Sequence, residues 1–505
     1  MSDILQAMQI VFSFQALVFI FIGVAVGIVF GAVPGLTAVM AVALFLPVTY
    51  GLSPGVGISI LIALYIGATS GGLISAILLK IPGTPSSVAT CFDGHPMLEK
   101  GEGPKALGVG IVFSFIGTIV SVFALMLIAP KLAQVAIKFG PHEYFSIAVF
   151  SLTLIATLSS KSMIKGIFAG ILGFAFGTVG IAPVEATIRY TFGTNQLKSG
   201  FTTLTVLVGL FAISEVIKTA EEAKRKNDMT VAQVSMKKIK GFGFSLKELK
   251  DQMPNAFLAS LIGIAIGILP GIGSATSNIV AYSVCKKQSK RGELYGTGVI
   301  DGIVASETSN NAGIGGALIP LMTLGIPGDA VTAILLGGFM IHGIQPGPLL
   351  FKTNSVLVYT IFTAMFVASF AMLILEFYGL RIFTRLLNVP KHLLLPLIFV
   401  LCVVGAFGIN SRIFDVWTIV LFGLIGYGFY KFKVPNAPFI MGFILGPMAE
   451  LNLRRGLMLS DGSFKGFLTN PISGIFLVLA VISIVWTAYN THSALKKGAA
   501  HAEVE

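Results

Sequence analysis

Apolar residues in this chain come in long unbroken runs, not in the alternating pattern of a strand. Runs close to the roughly 20 residues an α-helix needs to cross a bilayer lie near 10–33, 56–79, 106–130, 143–158, 164–183, 200–217, 254–270, 355–379, 394–409, 413–430 and 471–489. Shorter apolar pieces fall at 36–50, 272–285, 311–325 and 437–449. Counting broken pieces, the pattern predicts about 11 to 14 membrane segments. Membrane barrels give short alternating segments instead. The expected fold is therefore an all-α polytopic membrane protein.

Composition agrees: 55% of residues are hydrophobic and 11% charged, with a mean hydropathy of +0.90. The start MSDILQAMQI lacks the basic region and small-residue cleavage site of a signal peptide, so the first run is expected to stay as a membrane helix. Cys91, Cys285 and Cys402 have no paired spacing and predict neither a disulfide nor a metal site. The net charge of +12 is what Lys- and Arg-rich cytoplasmic loops produce; no nucleic-acid partner is expected.

One long polar segment, KTAEEAKRKNDMTVAQVSMKKIKGFGFSLKELKDQM at 218–253, interrupts the apolar pattern. It divides the chain into a membrane repeat at 1–217, a charged cytoplasmic linker at 218–253, a second membrane repeat at 254–490 and a polar tail at 491–505. Three motifs recur across the linker in the same order. Gly27-x-x-x-Gly31-x-x-Pro34-Gly35 returns as Gly263-x-x-x-Gly267-x-x-Pro270-Gly271. Gly71-Gly72 followed by Ile81-Pro82-Gly83 returns, with one residue more, as Gly315-Gly316 followed by Ile326-Pro327-Gly328. Gly94-His95-Pro96 running to Gly103-Pro104 is echoed by His342-Gly343 running to Pro346-Gly347-Pro348. The turn YGLSPGVG (50–57) carries no charge, whereas its counterpart CKKQSKRG (285–292) has four basic residues. Equivalent loops of unequal basic charge belong on opposite membrane faces, so the halves are expected to be inverted repeats.

The Pro-Gly pairs at 34–35, 82–83, 270–271 and 327–328 lie inside apolar sequence. Proline ends or kinks a helix, and freed backbone groups are tolerated at membrane depth only where protein or a water-filled cavity satisfies them. A helix restarting past each break would aim N–H groups and a positive dipole end at an anion. Polar side chains cluster beside the breaks: Thr37, Thr69, Ser70, Thr84, Ser86 and Ser87 in the first half, Ser274, Thr276, Ser277, Asn278 and 306–311 in the second. Hydroxyls and amides can bond a carboxylate or coordinate a hard cation through oxygen. The candidate substrate-binding residues are Pro34, Gly35, Thr37, Thr69, Ser70, Lys80, Pro82, Gly83, Thr84, Ser86, Ser87, Gly271, Ser274, Pro327 and Gly328. Glu307, Asn310, Asn311 and Asp329 are the candidate coupling-ion residues, because ionisable groups at membrane depth are costly and usually functional.

Structural readings stand beside these: helix capping for Asp329, snorkelling to the interface for Lys80, turn positions for His95 and His342, and an i,i+4 pair for Glu185 and Arg189. Neither a P-loop nor His-Glu-x-x-His occurs, and a second aspartate suited to an intramembrane protease is not evident. The chain is not expected to be an enzyme.

The stretches GGLISAILLKIPGTPSSVATCFDGHPM (71–97), SETSNNAGIGGALIPLMTLGIPGDAVTAILLGG (306–338) and MIHGIQPGPLLF (340–351) resemble the large membrane subunit of the tripartite tricarboxylate transporters, the TctA family. The motif positions are Pro34-Gly35, Pro82-Gly83, Ser86-Ser87, Asp93-Gly94, Glu307, Asn310-Asn311, Pro327-Gly328 and Pro346-Gly347-Pro348; Lys80 and Thr84 stand where the family more often has Asn and an acid. The resemblance implies a multi-pass protein of the bacterial inner membrane that takes up a di- or tricarboxylate by sodium symport. It also implies a small four-helix membrane subunit and a periplasmic solute-binding protein as partners. No cofactor is expected beyond sodium as coupling ion. Proton coupling is the alternative within transport, and a passive anion channel is the alternative from another class.

Overall fold

The computed structural model describes residues 2–158, 163–225, 242–386 and 391–502. These are helical apart from connecting turns and a two-residue antiparallel pair, Gly180–Ile181 with Ile188–Arg189. Among the described residues, seven helices are long and apolar enough to cross a membrane, and several shorter apolar helices accompany them. The protein is an all-α polytopic membrane protein. The middle of the linker, 226–241, lies outside the described residues.

The chain forms two compact units: Met1–Ala136 with Leu207–Tyr427, and Ile137–Val206 with Gly428–Glu505. In the second unit, Met163–Gly177 lies against Asn436–Leu459, with Gly173 facing the Phe439 carbonyl and no room for a side chain between them. Past Gly177 the 164–183 run leaves its helix for the short hairpin. Glu185 and Arg189 are therefore not i,i+4 neighbours on a helix. Arg189 makes a two-pronged contact to Glu450 (2.5 and 2.9 Å), and Glu185 pairs with Arg454.

The first unit carries all the breaks. Before the linker its helices include, after a short N-terminal one at Ser2–Val11, α1 (Phe14–Ala32), α2 (Ala38–Phe45), α3 (Pro54–Leu79), α4 (Thr90–Glu99) and α5 (Gly103–Ala136). Those after it include α6 (Leu246–Ile268), α7 (Gly273–Gln288), α8 (Ile300–Leu324), α9 (Ala330–Ile341) and α10 (Ser355–Leu386). α8 begins at Ile300, well before the apolar piece at 311, because its polar first half is helical and enclosed by protein. It is buried from Asp301 to Thr323, as α3 is from Val56 to Leu78. Helices wrapped by protein on every side need not be apolar, since neighbours can satisfy their polar groups.

Packing follows the repeated glycines. Gly27 and Gly31 of α1 meet the backbone of α3 at Gly67, Ala68 and Gly72; Gly263 and Gly267 of α6 meet α8 at Ser309, Gly313 and Gly316. Small residues at this spacing let membrane helices approach closely. The remaining contacts are also paired. α7 packs on the turn Pro85–Ser87 that precedes α4, as α9 packs on α2; α8 packs on α4 and α5, as α3 packs on α9 and α10. Each half thus inserts its short helices against the long central helix of the other.

Candidate functional site

At all four Pro-Gly pairs a helix ends and another segment starts. α1 stops at Ala32; Gly35 then takes a φ of 95°, a left-handed value that favours glycine, and Thr37 caps α2 by accepting the Met40 N–H at 3.2 Å. α3 ends on Lys80 at φ 56°, with the Lys80 side chain exposed. After Pro82-Gly83, the Thr84 N–H donates to Ser87 Oγ (3.3 Å), and Thr84 and Ser86 share a hydroxyl contact of 2.9 Å. A short 3₁₀ turn, Pro85–Ser87, then leads into α4.

The second half repeats this geometry. α6 ends at Ile268, and Gly271 (φ 75°) and Gly273 (φ 64°) turn the chain into α7. α8 ends on left-handed Gly325, in the place that Lys80 holds in the first half. Past Pro327-Gly328 the Asp329 N–H donates to Thr332 Oγ1 (2.8 Å), the counterpart of Thr84 with Ser87, while Asp329 Oδ1 accepts the Thr332 N–H (2.7 Å). Asp329 thus caps α9.

Each half folds its two breaks together. Gly83 lies against the Gly31 carbonyl, Ser75 and Gly72, and Gly328 lies against the Gly267 carbonyl and Ala317. Gly273, beside Ser274, faces Asp329. Asn278 of α7 links the halves by accepting the Ala89 N–H at 3.3 Å.

A second cluster lies along α8. The Glu307 side chain is fully buried; it accepts from Thr90 Oγ1 at one oxygen and from Ser114 Oγ (3.0 Å) at the other. Asn311 donates to Ser114 Oγ (2.9 Å) and to the Glu307 carbonyl (3.0 Å), and Asn310 donates to the Thr69 carbonyl (3.3 Å). Next to Thr69, Ser70 Oγ donates 2.8 Å to Glu376 of α10, also fully buried. One turn earlier on α3, Tyr65 donates its hydroxyl to Asp329. Glu307, Asn310, Asn311, Thr69 and Ser70 therefore belong to one connected polar chain. Asp329 meets the same face of α3 through Tyr65. Ser86, Ser87 and Thr84 bond one another beside Gly72, while Pro34, Gly35 and Thr37 close the first break.

Several of these residues fall outside the sequence-based candidates. Glu376 is the one charged residue of the 355–379 run, which is its signal. Tyr65, Thr90 and Ser114 carry none, because single hydroxyls are common in membrane helices. Asp93 is also fully buried: Oδ1 accepts the N–H groups of Gly296 (2.9 Å), Gly298 (2.8 Å) and Val299 (3.0 Å), and Oδ2 the Tyr282 hydroxyl (2.8 Å). It ties α4 to the loop before α8. His95 lies within α4 and not in a turn, its Nδ1 3.0 Å from the Ile77 carbonyl; His342 forms the C-cap of α9.

Residues 17–441 match the family model described as the tripartite tricarboxylate transporter TctA family. A relative from Agrobacterium vitis, an uncharacterized 52.8 kDa protein in the TAR-I ttuC' 3' region, is 32% identical over 469 residues, 93% of this chain and 92% of its own. A second from the same organism, an uncharacterized protein in the TAR-II ttuC' 3' region, is 34% identical over 223 residues, 44% of this chain and 92% of its own. No solved structure matches the chain.

Proposed function

The chain belongs to the tripartite tricarboxylate transporter TctA family, and we propose that it is the large transmembrane subunit, importing a di- or tricarboxylate of the citrate type by sodium symport. It would sit in the bacterial inner membrane with a small four-helix subunit and receive substrate from a periplasmic binding protein. The carrying observation is that all four Pro-Gly pairs stop one helix and start a new segment inside the same unit. Segment starts of this kind offer free N–H groups to an anion.

In this reading the carboxylate is held at the restarts by backbone donors after Pro34-Gly35, Pro82-Gly83, Gly271 and Pro327-Gly328. Thr37, Thr84, Ser86, Ser87 and Ser274 add hydroxyls, Thr69 and Ser70 line the adjoining face of α3, and exposed Lys80 draws the anion in. Sodium is held by the oxygen-rich chain at Glu307, Asn310 and Asn311, with Asp329 contributing from the second-half break. The paired contacts support two repeats of inverted topology, 1–217 and 254–490, joined by a cytoplasmic linker. Alternating access would then come from one set of elements moving against the other.

The test is uptake of labelled carboxylates into proteoliposomes containing the chain, its small subunit and the binding protein, with sodium or proton gradients imposed separately. Concentrative uptake that follows only the sodium gradient supports symport. Uptake that follows only the proton gradient replaces sodium by protons, and uptake that never passes equilibration makes the protein a channel.

A further inference from the structure

Two fully buried carboxyls, Glu307 on α8 and Glu376 on α10, have no positive partner among the described residues. No described Lys, Arg or His forms an ion pair with either. α8 contains no basic residue. On the described helices beside α10, the basic groups stand near the ends: Lys80, Lys131 and Lys352 are exposed, and Lys105 pairs with Glu248. The acid of the N-terminal helix, Asp3, is engaged with Ser355 at the start of α10. A carboxylate in a low-dielectric interior without a counter-charge is strongly disfavoured, so each must be neutralised in the working protein.

The unpartnered atoms indicate how. Three buried oxygens on this polar chain have no hydrogen-bond partner: Glu376 Oε1, Asn310 Oδ1 and Asn311 Oδ1. Buried polar atoms in folded proteins are nearly always paired. These carboxylate and amide oxygens are acceptors. A proton on one carboxyl satisfies one oxygen, whereas a hard cation gathers several oxygen ligands at once. Asn311 joins Glu307 through Ser114, while Ser70 donates to Glu376 next to Thr69, whose carbonyl accepts from Asn310.

We propose that Glu307 and Glu376 anchor two separate monovalent-cation sites on this polar chain, so that the protein loads two positive charges per cycle. Glu376 with Asn310 forms the second site, on α10 and α3, and Ser70 orients its carboxylate. The inference deepens the coupling-ion part of the proposed function and rests on it for the identity of the cation. Two cations would balance the charge of a dicarboxylate, making its transfer electroneutral.

The experiment is equilibrium binding of radiolabelled sodium to the purified full-length chain in detergent, with Glu376→Gln, Glu307→Gln and Glu376→Asp variants beside it. The expected result is two ions per wild-type chain and one in each Gln variant. In proteoliposomes the sodium dependence of uptake should fall in steepness from a Hill coefficient of about two to about one in Glu376→Gln. One ion or none per wild-type chain overturns the proposal, as does a Glu376→Gln protein that still binds two. Should Glu376→Gln not fold, Glu376→Asp decides: it keeps the charge but shortens its reach, and must weaken one of the two ions at least tenfold, so unchanged affinity for both also overturns the proposal. Double binding without sodium-driven uptake leaves this inference standing and removes the proposed symport; sodium-driven uptake with a single bound ion does the reverse.

Discussion

Gly328→Ala isolates what the paired breaks require. A Cβ at 328 would lie 2.6 Å from Ala317 Cα, 2.6 Å from the Gly267 carbonyl oxygen and 2.9 Å from Ala317 Cβ, where ordinary contact begins at 3.4 Å. Two of these atoms are backbone of α8 and of α6, so no side chain can swing away. The loop must retreat by about 0.8 Å, and overpacking of this kind costs roughly 1–3 kcal/mol. Gly328 does not need a left-handed φ, so alanine also narrows the unfolded ensemble, a gain of about 0.4–1 kcal/mol. The net expectation is a destabilisation of about 1–2 kcal/mol, which thermal denaturation in detergent reads as a lower midpoint. Transport should suffer more, because the displaced loop carries Asp329 and the start of α9; a shift near 1 Å at a reacting or binding site can cost on the order of 100-fold. Gly83→Ala, whose Cβ would meet Ser75 Oγ at 2.5 Å and Gly72 Cα at 3.0 Å, should behave alike. Gly408→Ala, exposed in its helix with nothing within 4 Å of the new carbon, is the control and should be neutral or slightly stabilising. If Gly328→Ala and Gly83→Ala match Gly408→Ala in both midpoint and uptake, the reasoning from the break geometry is refuted.

Tyr65→Phe removes the hydroxyl donated to buried Asp329 and should cost about 1.5–3 kcal/mol; an unchanged unfolding midpoint would mean that the contact stabilises nothing. Asp93→Ala orphans three N–H groups of the 296–299 loop and the Tyr282 hydroxyl, so a loss of at least about 3 kcal/mol is expected. Hydrogen exchange at 296–299 should quicken with it, and full retention of protection there would count against the tether. Asn278→Ala leaves the Ala89 N–H without its acceptor, which should lower stability by about 1–3 kcal/mol; a midpoint equal to wild type would remove Asn278 as the link between the halves.

How far the sequence disclosed this arrangement depends on which physical rule governed each residue. The breaks were legible because proline and glycine act through their own backbone: wherever Pro-Gly interrupts an apolar run a helix must stop, and all four do. The boundary of α8 was not, because hydropathy measures fitness for lipid whereas residues 301–311 face other helices. A buried helix can carry Ser306, Glu307, Asn310 and Asn311 only if neighbours supply partners, and those partners, Thr90, Ser114 and Thr69, come from distant sequence. The pairing of Glu185 with Arg189 failed for the opposite reason: four-residue spacing has meaning only on a helix, and the chain there turns through a hairpin.

Asp329 shows that capping and ion-binding readings need not exclude each other. Its Oδ1 caps α9, which alone would satisfy the structural reading, yet it also accepts from Tyr65, one turn before Thr69 on α3. A cap needs only local sequence, whereas a contact to Tyr65 requires the second-half break to be docked against the central helix of the first half. Thr84, its counterpart, bonds only Ser86 and Ser87 among the described side chains. The two halves thus share the break geometry, and only one of them has a carboxylate at this position. Under the proposed symport that asymmetry has a use, because an anion and its coupling cation cannot be held by identical sites. Exchanging the two residues, Thr84→Asp with Asp329→Thr, should therefore preserve folding better than it preserves uptake; equal uptake by the exchanged protein would show that the placement of the charge carries no function.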